Sequence, residues 1–376
     1  MSPFSTVDAS AADSATVGSS AFDARIAALN PLLTPAALRA EVPLPSGARR
    51  TVLRAREDFV RILQGVDDRL AVVVGPCSVH DTAATLAYAR RLADLARQTE
   101  DSLLVIMRVY VEKPRTRLGW KGLVNDPGLD GTHDLNEGLR RARELMVQIV
   151  RSGLPVGCEF LDPSVPRYLS DAVSWASIGA RTVQSQVHRQ LASGLNMPIG
   201  IKNGTDGSAK DAVDAIVAAA HGHVYPGVTD EGVAAVVTSF GNPDCHVVLR
   251  GGSNGPNYGH QHVAGAVDLL EATGLPPRVV IDASHGNSGK DHERQRDVVE
   301  DVAVRVADGD TGIAGMMVES FLRPGRQDLV LGRTDHLVPG LSVTDACAGW
   351  DQTVRMVERL AEAAAKRSAR TTALVA

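Results

Sequence analysis

The sequence predicts an α/β fold, a (β/α)8 TIM barrel with an N-terminal extension and an inserted β-hairpin before strand 6. Eight short apolar segments recur along about 280 residues of the chain, and helical patterns separate most of them. This alternation of buried strands and helices is typical of a closed parallel sheet. A doubly wound sheet is the alternative, but no GxGxxG motif follows any of the predicted strands.

The elements of the barrel are read from apolar runs and from helical spacing of apolar residues. The predicted strands are residues 70–74, 103–109, 155–160, 176–180, 198–201, 246–249, 278–281 and 313–318. The main helical patterns are residues 82–97, 138–152, 211–220, 261–273 and 291–307. Between the fifth and sixth strands, residues 221–242 contain two β-like pieces around Asp230 and Gly232, which predicts the hairpin. The hairpin could serve regulation or oligomer contacts, or it could be inert decoration.

Four segments make up the predicted domain organisation. Residues 1–22 are rich in Ser, Ala and Thr and predict a disordered tail. Residues 23–69 form an N-terminal extension with a helix near its end, too small for a core of its own and expected to serve assembly or regulation. The catalytic barrel is expected to span residues 70–365, followed by a C-terminal tail at residues 366–376.

Composition restricts the class of protein. The 376 residues are 44% hydrophobic and carry a net charge of -5, which argues against general nucleic-acid binding because such binding needs a basic surface. The four cysteines are scattered without a CxxC motif, so a reducing compartment and a cytoplasmic location are expected. The first residues lack the charge and apolar pattern of a secretory signal, and no apolar run is long enough to predict a membrane span.

Four potential metal ligands follow predicted strands or lie in a later loop. Cys77 follows the first strand, His285 the seventh and Glu319 the eighth, and Asp345 lies in the segment VTDA. In a (β/α)8 barrel the carboxyl ends of the strands meet at the active site. One thiolate, one imidazole and two carboxylates would suit Mn, Fe, Co or Zn better than Mg or Ca. Taken singly, each residue could instead be structural: a buried thiol, a hydrogen-bonded histidine or an acid in a salt bridge.

Six basic residues are expected at the same end of the barrel. An acidic protein has no general reason to concentrate cations there unless anions bind, and arginine and lysine are the usual partners of phosphate and carboxylate groups. The set predicts a substrate load of several negative charges, with more than one phosphate. Each residue alone could be an ordinary solvated surface charge. The six are Arg108, Lys113, Arg115, Arg181, Lys202 and Arg250.

Eight segments of the sequence carry a family resemblance. They read GPCSVHD, MRVYVEKPRTRLGWKGLVNDP, CEFLDP, GARTVQSQVHRQLASGLNMPIGIKNGTDG, HVVLRGGSNGPNY, IDASHGNS, MMVES and VTDACAGW. In this order they resemble the class I 3-deoxy-D-arabino-heptulosonate 7-phosphate (DAHP) synthases, over residues 24–351. The likeness is strongest to the microbial amino-acid-regulated branch, which has an N-terminal extension and an inserted hairpin. The tail of about twenty residues has no assignable counterpart.

The resemblance implies a transferase that condenses phosphoenolpyruvate with erythrose 4-phosphate in the first step of the shikimate pathway. It implies metal binding by Cys77, His285, Glu319 and Asp345. It also implies that Lys113 lies between the two substrates. We expect Glu159 to orient the water molecule that adds to carbon 2 of phosphoenolpyruvate during the reaction. The residues implied for phosphoenolpyruvate are Arg108, Ala180 (through its backbone), Arg181, Lys202 and Arg250, and those implied for the phosphate of erythrose 4-phosphate are Arg115 and Thr116.

Three competing functions and several partner questions arise from the sequence. A sister enzyme uses arabinose 5-phosphate, although the KPRT loop with its GWKG continuation favours erythrose 4-phosphate. A Schiff-base aldolase would use Lys202, and a catalytically inert partner subunit would have lost ligands or cations, none of which is lost. The resemblance also implies feedback control by an aromatic amino acid, with residues 163–167 and 195–197 as parts of the effector pocket. Tyrosine is favoured as effector and a homodimer or homotetramer is expected, although the sequence itself determines neither. No nucleic-acid or membrane partner is expected.

Overall fold

Eight parallel strands close into a barrel in the computed structural model, which describes residues 25–375 and side chains to residue 371. This confirms the predicted fold class. The predicted disordered tail, residues 1–22, lies outside the described residues. The barrel strands are β1 (Leu70–Gly75), β2 (Leu103–Arg108), β3 (Val156–Glu159), β4 (Trp175–Ile178), β5 (Ile199–Lys202), β8 (Cys245–Leu249), β9 (Val279–Asp282) and β10 (Ile313–Glu319).

Helices cover the outside of the barrel and precede its first strand. Every residue of the eight barrel strands is buried, because the helices shield one face and the barrel interior the other. The helices are α1 (Pro35–Glu41), α2 (Ser46–Leu63), α3 (Thr82–Gln98), α4 (Leu135–Arg151), α5 (Pro166–Leu169), α6 (Gln186–Gly194), α7 (Lys210–Ala219), α8 (His260–Ala272), α9 (Gln295–Ala307) and α10 (Trp350–Val375). Within residues 25–375, no helix is both long enough and apolar enough to cross a membrane.

The register of the strands brings their carboxyl ends to one level. Gly75 at the end of β1 pairs with Glu319 at the end of β10, so the loop that carries Cys77 begins beside that carboxylate. A side chain at Gly75 would place its Cβ 2.8 Å from the backbone oxygen of Arg108, closer than van der Waals contact allows. Glycine at this position therefore permits the close approach of the β1 and β2 ends.

The N-terminal extension closes the opposite end of the barrel. The Phe59 ring on α2 lies 6.3 Å from the Trp175 ring and 5.1 Å from the His246 ring, centroid to centroid. Trp175 Nε1 donates a hydrogen bond to His246 Nε2 over 3.2 Å, and all three side chains are buried. The extension thus contributes to the barrel core at the end opposite the carboxyl ends of the strands.

The predicted hairpin consists of β6 (Val224–Val228) and β7 (Ala234–Thr238), which pair antiparallel as a separate two-stranded sheet. It lies between β5 and β8 in the chain, as the sequence predicted. The loop of the hairpin contacts the extension, since Ala36 N donates to Asp230 O over 2.8 Å and Arg39 forms an ion pair with the Asp230 carboxylate. The extension and the hairpin are therefore joined on one side of the barrel.

Helix α10 extends into the segment predicted as a C-terminal tail, residues 366–376. Helix α10 continues without interruption through residue 366 to Val375. Arg367 is only 3% exposed, and its guanidinium donates to the backbone oxygens of Asp310, Ile313 and Asp68 over 2.9–3.2 Å. These carbonyls precede or begin β10 and β1, so this part of α10 belongs to the barrel.

Candidate active site

A cavity of about 410 Å³ opens at the carboxyl ends of the barrel strands. Its wall contains every residue that the sequence predicted for the site except Cys77, which is buried beneath Lys113. The predicted residues along the wall are Arg108, Lys113, Arg115, Thr116, Glu159, Ala180, Arg181, Lys202, Arg250, His285, Glu319 and Asp345. Side chains from distant parts of the chain therefore meet around one volume.

Three of the four potential metal ligands form a tight cluster. One donor atom from each of Cys77, Glu319 and Asp345 lies within 4.8 Å of the other two. Cys77 Sγ is 3.6 Å from Asp345 Oδ2, and His285 Nε2 is 3.7 Å from Glu319 Oε1 at the edge of the cluster. A thiol, two carboxylates and a neighbouring imidazole form a donor set that fits a divalent transition metal.

His285 is oriented by groups behind it. Its Nδ1 lies 2.8 Å from Ser284 Oγ and 3.0 Å from Asp282 Oδ2, while Asp282 is fully buried. A proton on Nδ1 would be held by these groups and would leave Nε2, which faces Glu319, as the ligand atom. The φ angle of His285 is 56°, a left-handed conformation that is uncommon outside glycine and is often found at functional sites.

The ammonium of Lys113 lies between the donor cluster and the cavity. Its Nζ is 2.7 Å from Cys77 Sγ and 3.5 Å from Asp345 Oδ2. Burial raises the pKa of the Cys77 thiol to about 12, so a thiolate there depends on nearby positive charge. Burial opposes ionisation of Asp345, but attraction to Lys113 and then His285 lowers the pKa of that carboxyl to about 2.

Positive charge dominates the wall of the cavity. Among the described residues, eight lysine and arginine side chains line it, against three carboxylates: Glu159, Glu319 and Asp345. Arg108 is 1% exposed, its Nη2 lies 3.1 Å from Glu319 Oε1, and its Nη1 is buried without a hydrogen-bond partner among the described residues. An unpaired buried guanidinium nitrogen is costly unless a ligand accepts its hydrogen bond. The arrangement therefore fits an anionic ligand.

Lys202 is held at the floor of the same cavity. Its Nζ lies 3.4 Å from Glu159 Oε2 and 3.7 Å from Asp282 Oδ2. Burial opposes the charge, but attraction to Glu159 and other anionic groups raises the pKa of Lys202 above its ordinary value. The side chain is thus an ammonium group that can bind an anion.

Two loops meet at the outer part of the cavity. Arg181 Nε, in the loop after β4, donates to Thr116 Oγ1, in the loop after β2, over 3.1 Å. Arg115 and Ala180 line the cavity beside this contact. The segment from β2 can therefore place a ligand next to the groups that follow β4.

Comparison with known proteins identifies the family. Residues 44–358 match the model of the DAHP synthetase I family, which is most of the chain. The chain belongs to this family. The family and the enzyme class predicted from the sequence are thereby confirmed.

Curated relatives and a solved structure support the same assignment. The Phe-sensitive phospho-2-dehydro-3-deoxyheptonate aldolase of Escherichia coli K12 is 50% identical over 345 residues, 92% of this chain and 98% of that protein. The tyrosine-inhibited enzyme of Schizosaccharomyces pombe is 46% identical over 92% of this chain and 93% of its own length. The phospho-2-dehydro-3-deoxyheptonate aldolase structure from Francisella tularensis SCHU S4 matches with a TM-score of 0.88 and 44% identity, covering 90% of this chain and 98% of that one.

Several residues that line this DAHP synthetase I site were not predicted from the sequence, Tyr110 and Lys290 among them. Tyr110 lines the cavity two positions after Arg108, and the alternation of an extended segment should have placed both side chains on the same side. Lys290 also lines the cavity, and its backbone N donates to His285 O over 2.7 Å. Its φ of 64° turns the chain back toward the cavity, and no sequence pattern indicated that turn.

Proposed function

We propose that the protein is a DAHP synthase that joins phosphoenolpyruvate, D-erythrose 4-phosphate and water to give DAHP and phosphate. The observation that carries this proposal is the unpaired Nη1 of buried Arg108 in a cation-rich cavity beside the Cys77 cluster. The cavity supplies charge for two phosphates and one carboxylate, and the cluster supplies donors for a metal. The names of the similar proteins support the same reaction.

We assign the metal to Cys77, His285, Glu319 and Asp345. Mn, Fe, Co and Zn all suit this donor set, whereas Mg and Ca prefer oxygen ligands alone. Three of the donors already lie within 4.8 Å of one another, and Asp282 and Ser284 orient the fourth. When bound, a divalent ion would supply Lewis-acid polarisation of the sugar aldehyde.

Phosphoenolpyruvate is proposed to bind at the floor of the cavity. Arg108 Nη1 and the ammonium of Lys202 offer donors there, and Arg181 and Arg250 lie along the same wall. The backbone N–H of Ala180 is the proposed fifth donor. Because the guanidinium groups can bind two oxygens at once, they would fix the orientation of both the carboxylate and the phosphate.

Erythrose 4-phosphate is proposed to bind nearer the mouth, with its phosphate on Arg115 and Thr116. This would place its aldehyde near Lys113. Burial opposes the charge of Lys113, but attraction to Cys77, Glu319 and Asp345 raises its pKa, so the side chain is protonated at neutral pH. Lys113 could therefore give a proton to the oxygen of the aldehyde as carbon 3 of phosphoenolpyruvate attacks its carbon.

The remaining steps need a water molecule and a base. Attack through carbon 3 leaves a cation at carbon 2 of phosphoenolpyruvate, to which water adds. The resulting hemiketal phosphate collapses with C–O cleavage to the keto group and inorganic phosphate, which balances the reaction. Glu159 lines the cavity. Burial opposes ionisation of its carboxyl group, but attraction to Lys202 and Lys113 lowers the pKa of Glu159 below its ordinary value. It is thus a carboxylate that can orient the water and accept its proton.

Glu159→Gln should lower kcat by about 100-fold, because the amide keeps the size of the side chain but loses its basicity. Steady-state kinetics with both substrates would measure this effect. Glu300→Gln, which removes an exposed carboxylate paired with Arg359, serves as the matched control. A Glu159→Gln enzyme with unchanged turnover would show that the carboxylate has no part in activating water.

The proposed reaction is tested by phosphate release from phosphoenolpyruvate with either erythrose 4-phosphate or arabinose 5-phosphate. We expect release to depend on erythrose 4-phosphate and to be at least about tenfold faster with it, since Arg115 and Thr116 would set the distance to the phosphate. Preference for arabinose 5-phosphate would assign the sister reaction. Reduction by borohydride that attaches substrate to Lys202 would assign a Schiff-base aldolase, a mechanism that the raised pKa of Lys202 disfavours.

We further propose that a second cavity, of about 810 Å³, binds an aromatic amino acid. Residues from the predicted segments 163–167 and 195–197 line it, together with Tyr225 and Gly227 of the hairpin. Glu112 joins this cavity to the proposed active site: it accepts hydrogen bonds from Leu161 N and Asp162 N over 3.2 and 3.1 Å. Leu161 lines the first cavity and Asp162 lines the second. A shift of this segment on binding in the second cavity would therefore move the wall of the first.

Tyrosine, phenylalanine or tryptophan should inhibit the enzyme through this second cavity. The similar proteins include Phe-sensitive and tyrosine-inhibited forms, and our proposal for this chain is tyrosine. Asn196→Trp would fill the cavity and should raise the inhibitor concentration for half inhibition by about tenfold while leaving the uninhibited rate unchanged. Titration of each amino acid against both proteins measures this effect. Equal inhibition of both proteins would place the effector elsewhere.

A further inference from the structure

The ring of Tyr110 faces two cations of the proposed active site. Arg108 Cζ lies 3.9 Å from the ring centroid and Lys202 Nζ lies 5.7 Å from it. Both distances are within the range at which a cation is attracted to an aromatic face. The ring is 2% exposed and lines the cavity, so water screens these interactions little.

Arg108 and Lys202 carry charges of the same sign, and each already contacts a carboxylate. Arg108 contacts Glu319 Oε1 over 3.1 Å and the backbone oxygen of Pro76 over 3.4 Å, which leaves its Nη1 unpaired. Lys202 lies 3.4 Å from Glu159 Oε2 and 3.7 Å from Asp282 Oδ2. One more carboxylate between the two cations would draw them closer, but it would also neutralise the charge that a substrate anion needs.

We propose that Tyr110 is a positioning residue that holds Arg108 and Lys202 together for one anion, the phosphoenolpyruvate bound at the cavity floor. The electron-rich face of the ring attracts both cations and carries no net charge, so it offsets their mutual repulsion without competing with the substrate. This inference rests on the proposed function and names a residue through which its phosphoenolpyruvate site acts.

The hydroxyl group of Tyr110 has a separate task. It lies 2.9 Å from Ser177 Oγ, and the pair fixes the direction of the ring. Phenylalanine would keep the aromatic face and lose only this contact. Methionine would fill a similar volume without an aromatic face. The two substitutions therefore distinguish the effect of the ring face from the effect of the hydroxyl group.

The inference is tested by calorimetric binding of phosphoenolpyruvate to the full-length protein, without the second substrate. Tyr110→Phe should bind within about twofold of the parent protein, and Tyr110→Met should bind about tenfold more weakly. In steady-state assays Tyr110→Met should raise KM for phosphoenolpyruvate and leave KM for erythrose 4-phosphate nearly unchanged. A merely structural role would not produce this split between the two KM values.

Tyr88→Met is the matched control. Tyr88 is fully buried against the Trp350 ring, with a hydroxyl bonded to Ser320 Oγ, and it does not line the cavity. Tyr88→Met should lower the melting temperature without weakening phosphoenolpyruvate binding. If Tyr110→Met does not fold, fluorinated phenylalanines can be incorporated at position 110. They keep the shape of the ring and make the electrostatic potential of its face less negative, so phosphoenolpyruvate binding should weaken with each added fluorine.

Each outcome has one interpretation. A parent protein that does not bind phosphoenolpyruvate would refute the proposed function. A parent protein that binds it, with Tyr110→Met or the fluorinated series binding equally well, would refute the role of Tyr110 and leave the proposed function standing.

Discussion

Cys77→Ala is expected to lower turnover by about 1,000-fold or more and to remove most of the bound metal. The substitution deletes the single sulfur from a cluster in which Cys77, Glu319 and Asp345 donor atoms lie within 4.8 Å of one another. A metal that stabilises developing charge contributes several kcal/mol to catalysis, which corresponds to this loss. Cys77→Ala also removes the sulfur that lies 2.7 Å from Lys113 Nζ, and so disturbs the proposed proton donor.

The measurement is metal content by elemental analysis beside steady-state kinetics on the same preparation. Cys245→Ala is the matched control, because Cys245 is a buried, unpaired thiol at the start of β8, away from the cluster. Cys245→Ala should have a lower free energy of unfolding and a normal metal content. A Cys77→Ala protein with normal metal content and normal turnover would contradict the ligand assignment.

Arg108→Lys is expected to raise KM for phosphoenolpyruvate by about 100-fold. Lysine keeps the positive charge, but its three N–H donors share one nitrogen, so it cannot span Glu319 and the substrate as the separate nitrogens of the planar guanidinium do. The proposed phosphoenolpyruvate site depends on that second donor, since Nη1 of Arg108 is buried and unpaired while Nη2 binds Glu319. KM for erythrose 4-phosphate should change by much less, because its proposed phosphate site lies on Arg115 and Thr116.

Arg143→Lys provides the matched control for this prediction. Arg143 is also 1% exposed and binds both carboxylate oxygens of Asp171, over 2.6 and 2.9 Å, but it does not line the cavity. The control should lower the free energy of unfolding and leave KM for phosphoenolpyruvate unchanged. Comparable KM values for Arg108→Lys and the parent protein would remove Arg108 from the substrate site.

The barrel could be predicted because its strands are short, fully buried apolar runs that end in polar or glycine-containing turns. The contacts near the C-terminus could not be predicted, because burial of Arg367 depends on the carbonyls of Asp310, Ile313 and Asp68, which are distant in the sequence. The helix before β10 also begins later than its pattern suggested, at Gln295, since the turn with Lys290 precedes it.

The location of most candidate site residues followed from one rule: in a parallel barrel, the residues after each strand meet at one end. That rule applies to Arg108, Lys202 and Glu319, which are the last residues of their strands. It does not give side-chain contacts. The stacking of Tyr110 on Arg108 and the position of Lys113 Nζ at Cys77 Sγ depend on tertiary structure, and sequence spacing does not determine them.

The central claim is that one bound metal, held by Cys77, His285, Glu319 and Asp345, acts beside the cation-rich cavity. The most direct measurement is titration of EDTA-treated protein with Mn²⁺, recording bound metal and phosphate release from phosphoenolpyruvate and erythrose 4-phosphate together. We predict no turnover without metal and a rate that rises in proportion to bound metal until one ion is bound per chain. Full turnover by protein that contains no metal would contradict the claim.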